Sequence, residues 1–345
     1  MVLKTEITEM FGIKHPIFAA PMGPFYTKEL TVAVSEAGGM GVISHTNLLG
    51  KDSLKVMKAD MEYVVEHTDK PFGFNIRTGR MQYDAKRLCR GIPKVIKENQ
   101  RIREQCVYAL TSAGTPRMLP ENKNFQELRK NTNMKHFHVA PASWLADKCV
   151  ASGVDGMVVT GTEGGGHQSY EKTGTFILLQ KIKEKFPEVP LIACGAFGNG
   201  YGLAAALGLG AGAIAMGSRF IASKESEFHP KYKDLVPPAD SKDTIIVTGF
   251  LGPIRLWRNE YALHHGFIDN RDAKIAEEQE FTLETLIEDG KHYETVYLKG
   301  DLVTGAIPLG QSCELIKSID SVPDIIESTV KVAEEQLKKA SQYIQ

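Results

Sequence analysis

The chain has 345 residues, 42% hydrophobic and 24% charged, with 41 basic and 42 acidic side chains for a formal net charge of −1. That composition excludes wholesale disorder, collagen and a coiled coil, and the balanced charge leaves no electrostatic footprint for nucleic acid. At about 150 residues per domain the length suits two domains, or one large α/β barrel with decoration. The opening MVLKTEITEMFGIKHP lacks the apolar run of a secretory signal, and the most apolar long stretch, Leu203 to Met216, is too short and glycine-broken to span a membrane. The five cysteines are scattered and never spaced C-x-x-C. This argues against a disulfide framework or structural zinc and for a reducing, cytoplasmic setting.

Eight short β-like runs follow in chain order: Ile17–Ala20, Met40–Ser44, Phe72–Ile76, Val107–Thr111, Lys135–Val139, Gly156–Thr160, Leu191–Cys194 and Ala213–Met216. They recur about every 28 residues, the size of a βα unit. Between them Leu30, Ala33, Val34 and Ala37 fall at i, i+3, i+4 and i+7, one apolar stripe, and Gly38-Gly39 supplies a left-handed stop. Eight such units predict an α/β fold of the (β/α)₈ barrel type, with a doubly wound open sheet as the alternative. Residues 226–300 break the rhythm with Pro237-Pro238, a polar stretch at Asp240–Asp243 and an acidic helix-like run Ala273–Gln279. We read them as an inserted subdomain or lid after the eighth strand. Residues 1–225 and 301–345 then form the barrel, closed by a final helix from Val322 to Tyr343 with Ile326, Val330, Ala333 and Leu337 on one face.

In a barrel the chemistry sits where the strands end. Those positions hold Ala20-Pro21-Met22 after the first strand, Asn75 on the third, Thr160 on the sixth, and Gly195-Ala196 and Gly217-Ser218 after the seventh and eighth. The last two pairs occupy the loops where barrels commonly hold a phosphate on backbone N–H groups, although glycines there can also merely turn the chain. The loop Glu163-Gly164-Gly165-Gly166-His167 allows a flat ligand close to backbone and offers a histidine as acid or base; the alternative is a flexible loop with a surface histidine. His136 and His138 alternate on the fifth strand and are expected to face opposite sides, so a shared metal is not expected. His138 either reaches the barrel mouth or is a packed strand histidine. His264-His265 read as surface residues. No Walker motif, G-x-S-x-G or Rossmann glycine pattern is present.

Taken together, Pro16–Met22, Ala37–Gly41, Pro71–Asn75, Val154–Gly161, Glu163–His167, Pro190–Gly195, Ala204–Ala211 and Met216–Ser226 resemble the nitronate monooxygenase (2-nitropropane dioxygenase) family. The flavin-type enoyl-ACP reductases belong to the same superfamily. The resemblance implies an FMN-binding barrel. Gly195, Ala196, Gly217 and Ser218 would hold the phosphate. Ala20, Pro21, Met22 and Asn75 would line the flavin ring, and Thr160, Gly165 and Gly166 would also touch it. His138 falls where some relatives carry a lysine near the flavin, and His167 matches the family's active-site histidine. The chain has Thr160-Gly161 where the family often has Gln-Gly, Gly164 where it usually has alanine, and Ala196 where it often has glycine.

The implied activity is oxidation of alkyl nitronates with O₂ to a carbonyl compound and nitrite. The alternative is NAD(P)H-dependent reduction of an enoyl thioester or quinone. A third reading, from another class, is a flavin-free phosphate-sugar barrel or binding protein. The expected partner is a small-molecule substrate, with no nucleic acid or membrane, and a homodimer is the assembly to look for.

Overall fold

The computed structural model describes residues 3–47, 52–249, 252–268, 270–280 and 282–344. Its strands are β1 (Ile17–Ala19), β2 (Gly41–Ile43), β3 (Phe72–Arg77), β4 (Cys106–Ser112), β5 (Lys135–Ala140), β6 (Gly156–Thr160), β7 (Gly166–His167), β8 (Leu191–Cys194), β9 (Ala213–Met216), β10 (Thr244–Gly249) and β11 (Gly252–Trp257). Eight of them form one parallel sheet in the order β1-β9-β8-β6-β5-β4-β3-β2. The remaining seam, β1 to β2, is bridged at Phe18 and Met40, where Ala19 N donates to Met40 O and Met40 N to Ile17 O, each at 2.9 Å. The ring is thereby closed as a (β/α)₈-type barrel, not an open sheet.

Local chemistry explains the units. The helix Lys28–Glu36 buries Leu30 and Val34 against the sheet, and Gly38 ends the turn at a φ of +86°. That left-handed conformation favours glycine. At the bottom of the barrel the short helix Glu6–Phe11 inserts Phe11, whose ring lies 5.3–5.8 Å from Phe18, Tyr108 and Phe137. These aromatic contacts plug the end opposite the chemistry. The last helix, Val322–Ser341, packs on Gly200–Gly208. A Cβ on Gly200 would lie 2.3 Å from the Thr329 carbonyl, so the close approach requires glycine.

The segment 226–300 contains the helix Pro230–Leu235, the antiparallel pair β10–β11, and helices Glu260–His264, Arg271–Glu278 and Leu283–Lys299. It sits over the end of the barrel where the strands finish. Phe25, in the loop after β1, stacks on Tyr297 at 5.3 Å and meets Phe228 edge-on at 5.4 Å. The same apolar cluster continues through Ile307, Leu309 and Ile316. The Glu227 carboxylate accepts from the amide of Glu29 at 2.7 Å, joining this segment to the first barrel helix. All five cysteines are unpaired. Among the described residues no helix is long and apolar enough to cross a membrane.

Candidate active site

One cavity of about 620 Å³ opens where the strands end, beneath the segment 226–300. Eleven of the thirteen residues nominated from sequence line it: Ala20, Pro21, Met22, Asn75, Thr160, Gly165, Gly166, His167, Gly195, Gly217 and Ser218. Ala196 and His138 do not.

His138 requires a correction. Residues two apart on a strand share a face. Accordingly His136 and His138 point the same way, not opposite ways, and both reach one hydroxyl: Thr111 Oγ1 lies 2.8 Å from His136 Nε2 and 2.7 Å from His138 Nδ1. That face meets the helix layer, where His136 packs edge-on against Phe125 at 5.8 Å. Phe137, between them, belongs to the barrel interior. Both histidines are fully buried, and burial pushes His138 down to about 3. His138 is therefore a packed strand histidine outside the cavity.

The glycine loop is a shaped support, not a flexible one. Glu163 turns away from the cavity: its carboxylate accepts from Thr175 N at 2.8 Å and Thr175 Oγ1 at 3.0 Å, at the start of helix Thr175–Lys185. A Cβ on Gly165 would lie 2.6 Å from Gly310 N, so the chain from 309 to 310 can close over the loop only at glycine. Ser218 Oγ fixes the same chain by accepting from Gly310 N at 3.1 Å. Gly195 adopts a φ of +102°. Asn75 donates its amide hydrogens to Leu110 O at 3.2 Å and Ser112 Oγ at 3.0 Å, which fixes the orientation of its carbonyl end.

The end of the loop becomes β7, and it is held by the inserted segment. His167 pairs with Ile254 and Gly166 with Arg255, so β10, β11 and β7 make a three-stranded antiparallel sheet. Arg255 secures the join: Nε donates to Thr162 O at 2.8 Å and a terminal nitrogen to Thr244 Oγ1 at 2.9 Å. Gln168 N donates to Pro253 O at 2.7 Å and its Nε2 to Gly164 O at 2.6 Å.

Burial first, then the positive charges of Arg77 and Lys274, lower the His167 imidazole to about 3. It is therefore neutral at physiological pH, able to accept at one ring nitrogen and donate at the other. Arg77 and Lys274 line the cavity beside it, and neither was nominated from sequence. Arg80, Lys148 and Arg271 line the more exposed rim, and Asp289 is the one carboxylate of the lining among the described residues. Cys194 also faces the cavity, but burial raises its thiol to about 11, so it is no thiolate nucleophile at neutral pH.

A flat ring with a phosphate fits these residues. The glycine walls allow close backbone approach, and the Gln168 Oε1 and Arg77 Nε atoms are buried without a protein partner at the lining. The family profile described as nitronate monooxygenase matches residues 4–331. The chain belongs to the nitronate monooxygenase family. It is thus a flavin-dependent oxidoreductase. A relative in Mycobacterium tuberculosis, a (3aS,4S,5R,7aS)-5-hydroxy-7a-methyl-1-oxo-octahydro-1H-indene-4-carboxyl-CoA dehydrogenase, is 28% identical with 100% of each chain covered. A probable nitronate monooxygenase of Staphylococcus saprophyticus is 24% identical, covering 98% of this chain and 100% of its own. Among solved structures, FabK from Thermotoga maritima superposes with a TM-score of 0.80 at 32% identity, covering 99% of each chain. A nitroalkane oxidase from Streptomyces ansochromogenes, at 21% identity and a TM-score of 0.74, shares the fold.

Proposed function

We propose that this family member is an FMN-dependent oxidoreductase acting on an acyl thioester, with NAD(P)H as the electron partner. One observation carries the reading: among the described residues, five cations, Arg77, Arg80, Lys148, Arg271 and Lys274, line the cavity with one carboxylate, Asp289. In the ring of strands β3 stands four places from β8, so Arg77 and Arg80 lie across the mouth from the loop at Gly195-Ala196. The flavin phosphate would occupy the glycine side, on Gly195, Gly217 and Ser218 through backbone N–H groups, with Ala196 packed behind them. The cations opposite then serve a second anionic ligand. A nitronate brings one negative charge, whereas coenzyme A thioesters and NAD(P)H bring several. The name of the M. tuberculosis relative, a carboxyl-CoA dehydrogenase, supports the same class.

Bound FMN would supply the two-electron chemistry. The chain's own residues do the rest. Ala20, Pro21, Met22 and Asn75 line one side of the ring site, and Thr160, Gly165 and Gly166 another. His167, kept neutral, holds a proton at one ring nitrogen beside the reacting carbon or oxygen. Arg77 and Lys274 stabilise negative charge that develops on the substrate oxygen. The segment 226–300 covers the cavity and excludes water.

A second reading, oxidation of an alkyl nitronate with O₂, is favoured by the family profile and by the cation pair at His167, which suits a planar anion. The test of the proposal is steady-state turnover of the purified holoprotein, with the released flavin identified by mass. FMN together with NAD(P)H consumption dependent on an enoyl-CoA supports the thioester reading. FMN with nitrite release from propane-1-nitronate, and no thioester turnover, replaces it with the second.

A further inference from the structure

Arg77 is the last residue of β3, and its backbone amide is anchored by a buried chain that no catalytic step above requires. The Arg77 amide donates to His45 Nδ1 at 2.9 Å. His45 Nε2 faces Asp84 Oδ2 at 3.1 Å, and Gln82 Nε2 donates to Asp84 Oδ1 at 2.9 Å. His45 and Asp84 are 0% and 5% exposed. Because His45 Nδ1 accepts, its proton resides on Nε2 and is donated to the Asp84 carboxylate. A buried carboxylate–imidazole pair is a costly arrangement to maintain merely as packing. Beyond the backbone, one terminal nitrogen of Arg77 donates to Asn47 Oδ1. Its Nε, although buried, has no protein acceptor, and a Cβ built on Gly23 would stand 3.6 Å from it. A buried N–H left unpaired costs free energy unless a ligand satisfies it.

We propose that Arg77 is the specificity-determining anion site of the substrate half of the cavity, positioned by the Asp84–His45 pair, and that the reacting molecule presents a planar oxyanion to it opposite His167. A carboxylate, a nitronate or an enolate oxygen has this chemistry, and the guanidinium fork can hold two oxygens at once. The flavin phosphate is not the intended ligand, since the glycine loop after β8 lies across the ring of strands. This inference rests on the oxidoreductase reading only in placing the reacting group beside His167.

The test is calorimetric titration of the flavin-loaded enzyme with benzoate and with neutral, isosteric benzamide. Benzoate should bind at least about tenfold more tightly, and Arg77→Met should remove that preference. Free guanidinium should restore benzoate binding to Arg77→Ala, a rescue that a structural defect would not show. His45→Phe acts through Arg77, so it should raise benzoate Kd several-fold and lower kcat/KM, while benzamide Kd stays unchanged. Equal binding of benzoate and benzamide by the unmodified enzyme would overturn the proposal without any variant having to fold. Unchanged benzoate affinity in Arg77→Met would do the same. Because heat is read, not turnover, an enzyme that discriminates benzoate but reduces no thioester would refute the proposed reaction and leave this site standing.

Discussion

His167 and Ile254 are cross-strand partners, although 87 residues separate them in sequence, and their pairing joins the glycine loop of the barrel to the inserted hairpin. Ile254 is 1% exposed, buried with Val247, Leu256 and Tyr261. The imidazole thus takes its position from the insertion, not from the barrel alone. Replacing Arg255 by methionine leaves the Thr162 carbonyl without its donor and the sheet without its clamp. About 1–3 kcal/mol of stability should be lost. With His167 in its proposed catalytic role, activity should fall at least about tenfold, because small displacements of a reacting group are costly. Thermal melting and kcat/KM on the same preparation check both; normal kcat/KM would show that the hairpin does not position His167.

His167→Ala should retain flavin and lose most turnover. Since burial and two cations hold the imidazole at about 3, the ratio of wild-type to variant kcat/KM should stay flat from pH 5 to 8. A ratio that changes with a midpoint near 6.5 would mean that a charged His167 takes part.

Gly217 separates charge from space at the proposed phosphate loop. Its φ is −100°, and a Cβ there meets only Ala20 Cβ, at 3.7 Å. Gly217→Ala should therefore keep flavin, whereas Gly217→Asp should release it through repulsion of the phosphate. Flavin retention measured by absorbance after gel filtration decides this; equal retention in both variants would remove the phosphate from this loop.

Acid should weaken the fold. His45 and His138 are fully buried, with burial lowering them to about 4 and about 3. Their folded values lie below the unfolded value of about 6.5, so the unfolded chain binds more protons. The stability is complete above about pH 6.5 and is lost as pH falls toward the folded values. Each histidine should cost up to about 1.5 kcal/mol between pH 6.5 and 5. The melting temperature should fall over that interval, and His138→Leu should flatten the fall. A Tm unchanged from pH 7 to 5 would contradict this.

Much of the barrel was legible because parallel strands buried on both faces read as short apolar runs, and all eight runs became strands. The loop residues at their ends were legible for the same reason. The hairpin Thr244–Trp257 was not read as strands, although its β-branched residues Thr244, Ile245, Ile246 and Val247 carried that signal. Arg77 ends the third strand one residue beyond the apolar run Phe72–Ile76, and His45 is a single buried polar residue just past the second strand, so neither carried a run or motif of its own. Lys274 gave no sequence signal: it lies in a charged helix whose contact with the cavity depends on the tertiary fold. The opposite-face expectation for His136 and His138 failed on strand periodicity itself.

The most direct test of the proposed reaction is anaerobic stopped-flow absorbance of the holoprotein mixed separately with NADH, NADPH and propane-1-nitronate. The account expects NADH or NADPH to bleach the flavin at a catalytically useful rate, and an enoyl-CoA to restore the oxidised spectrum. Bleaching by the nitronate alone, with nitrite appearing when O₂ returns, would contradict it.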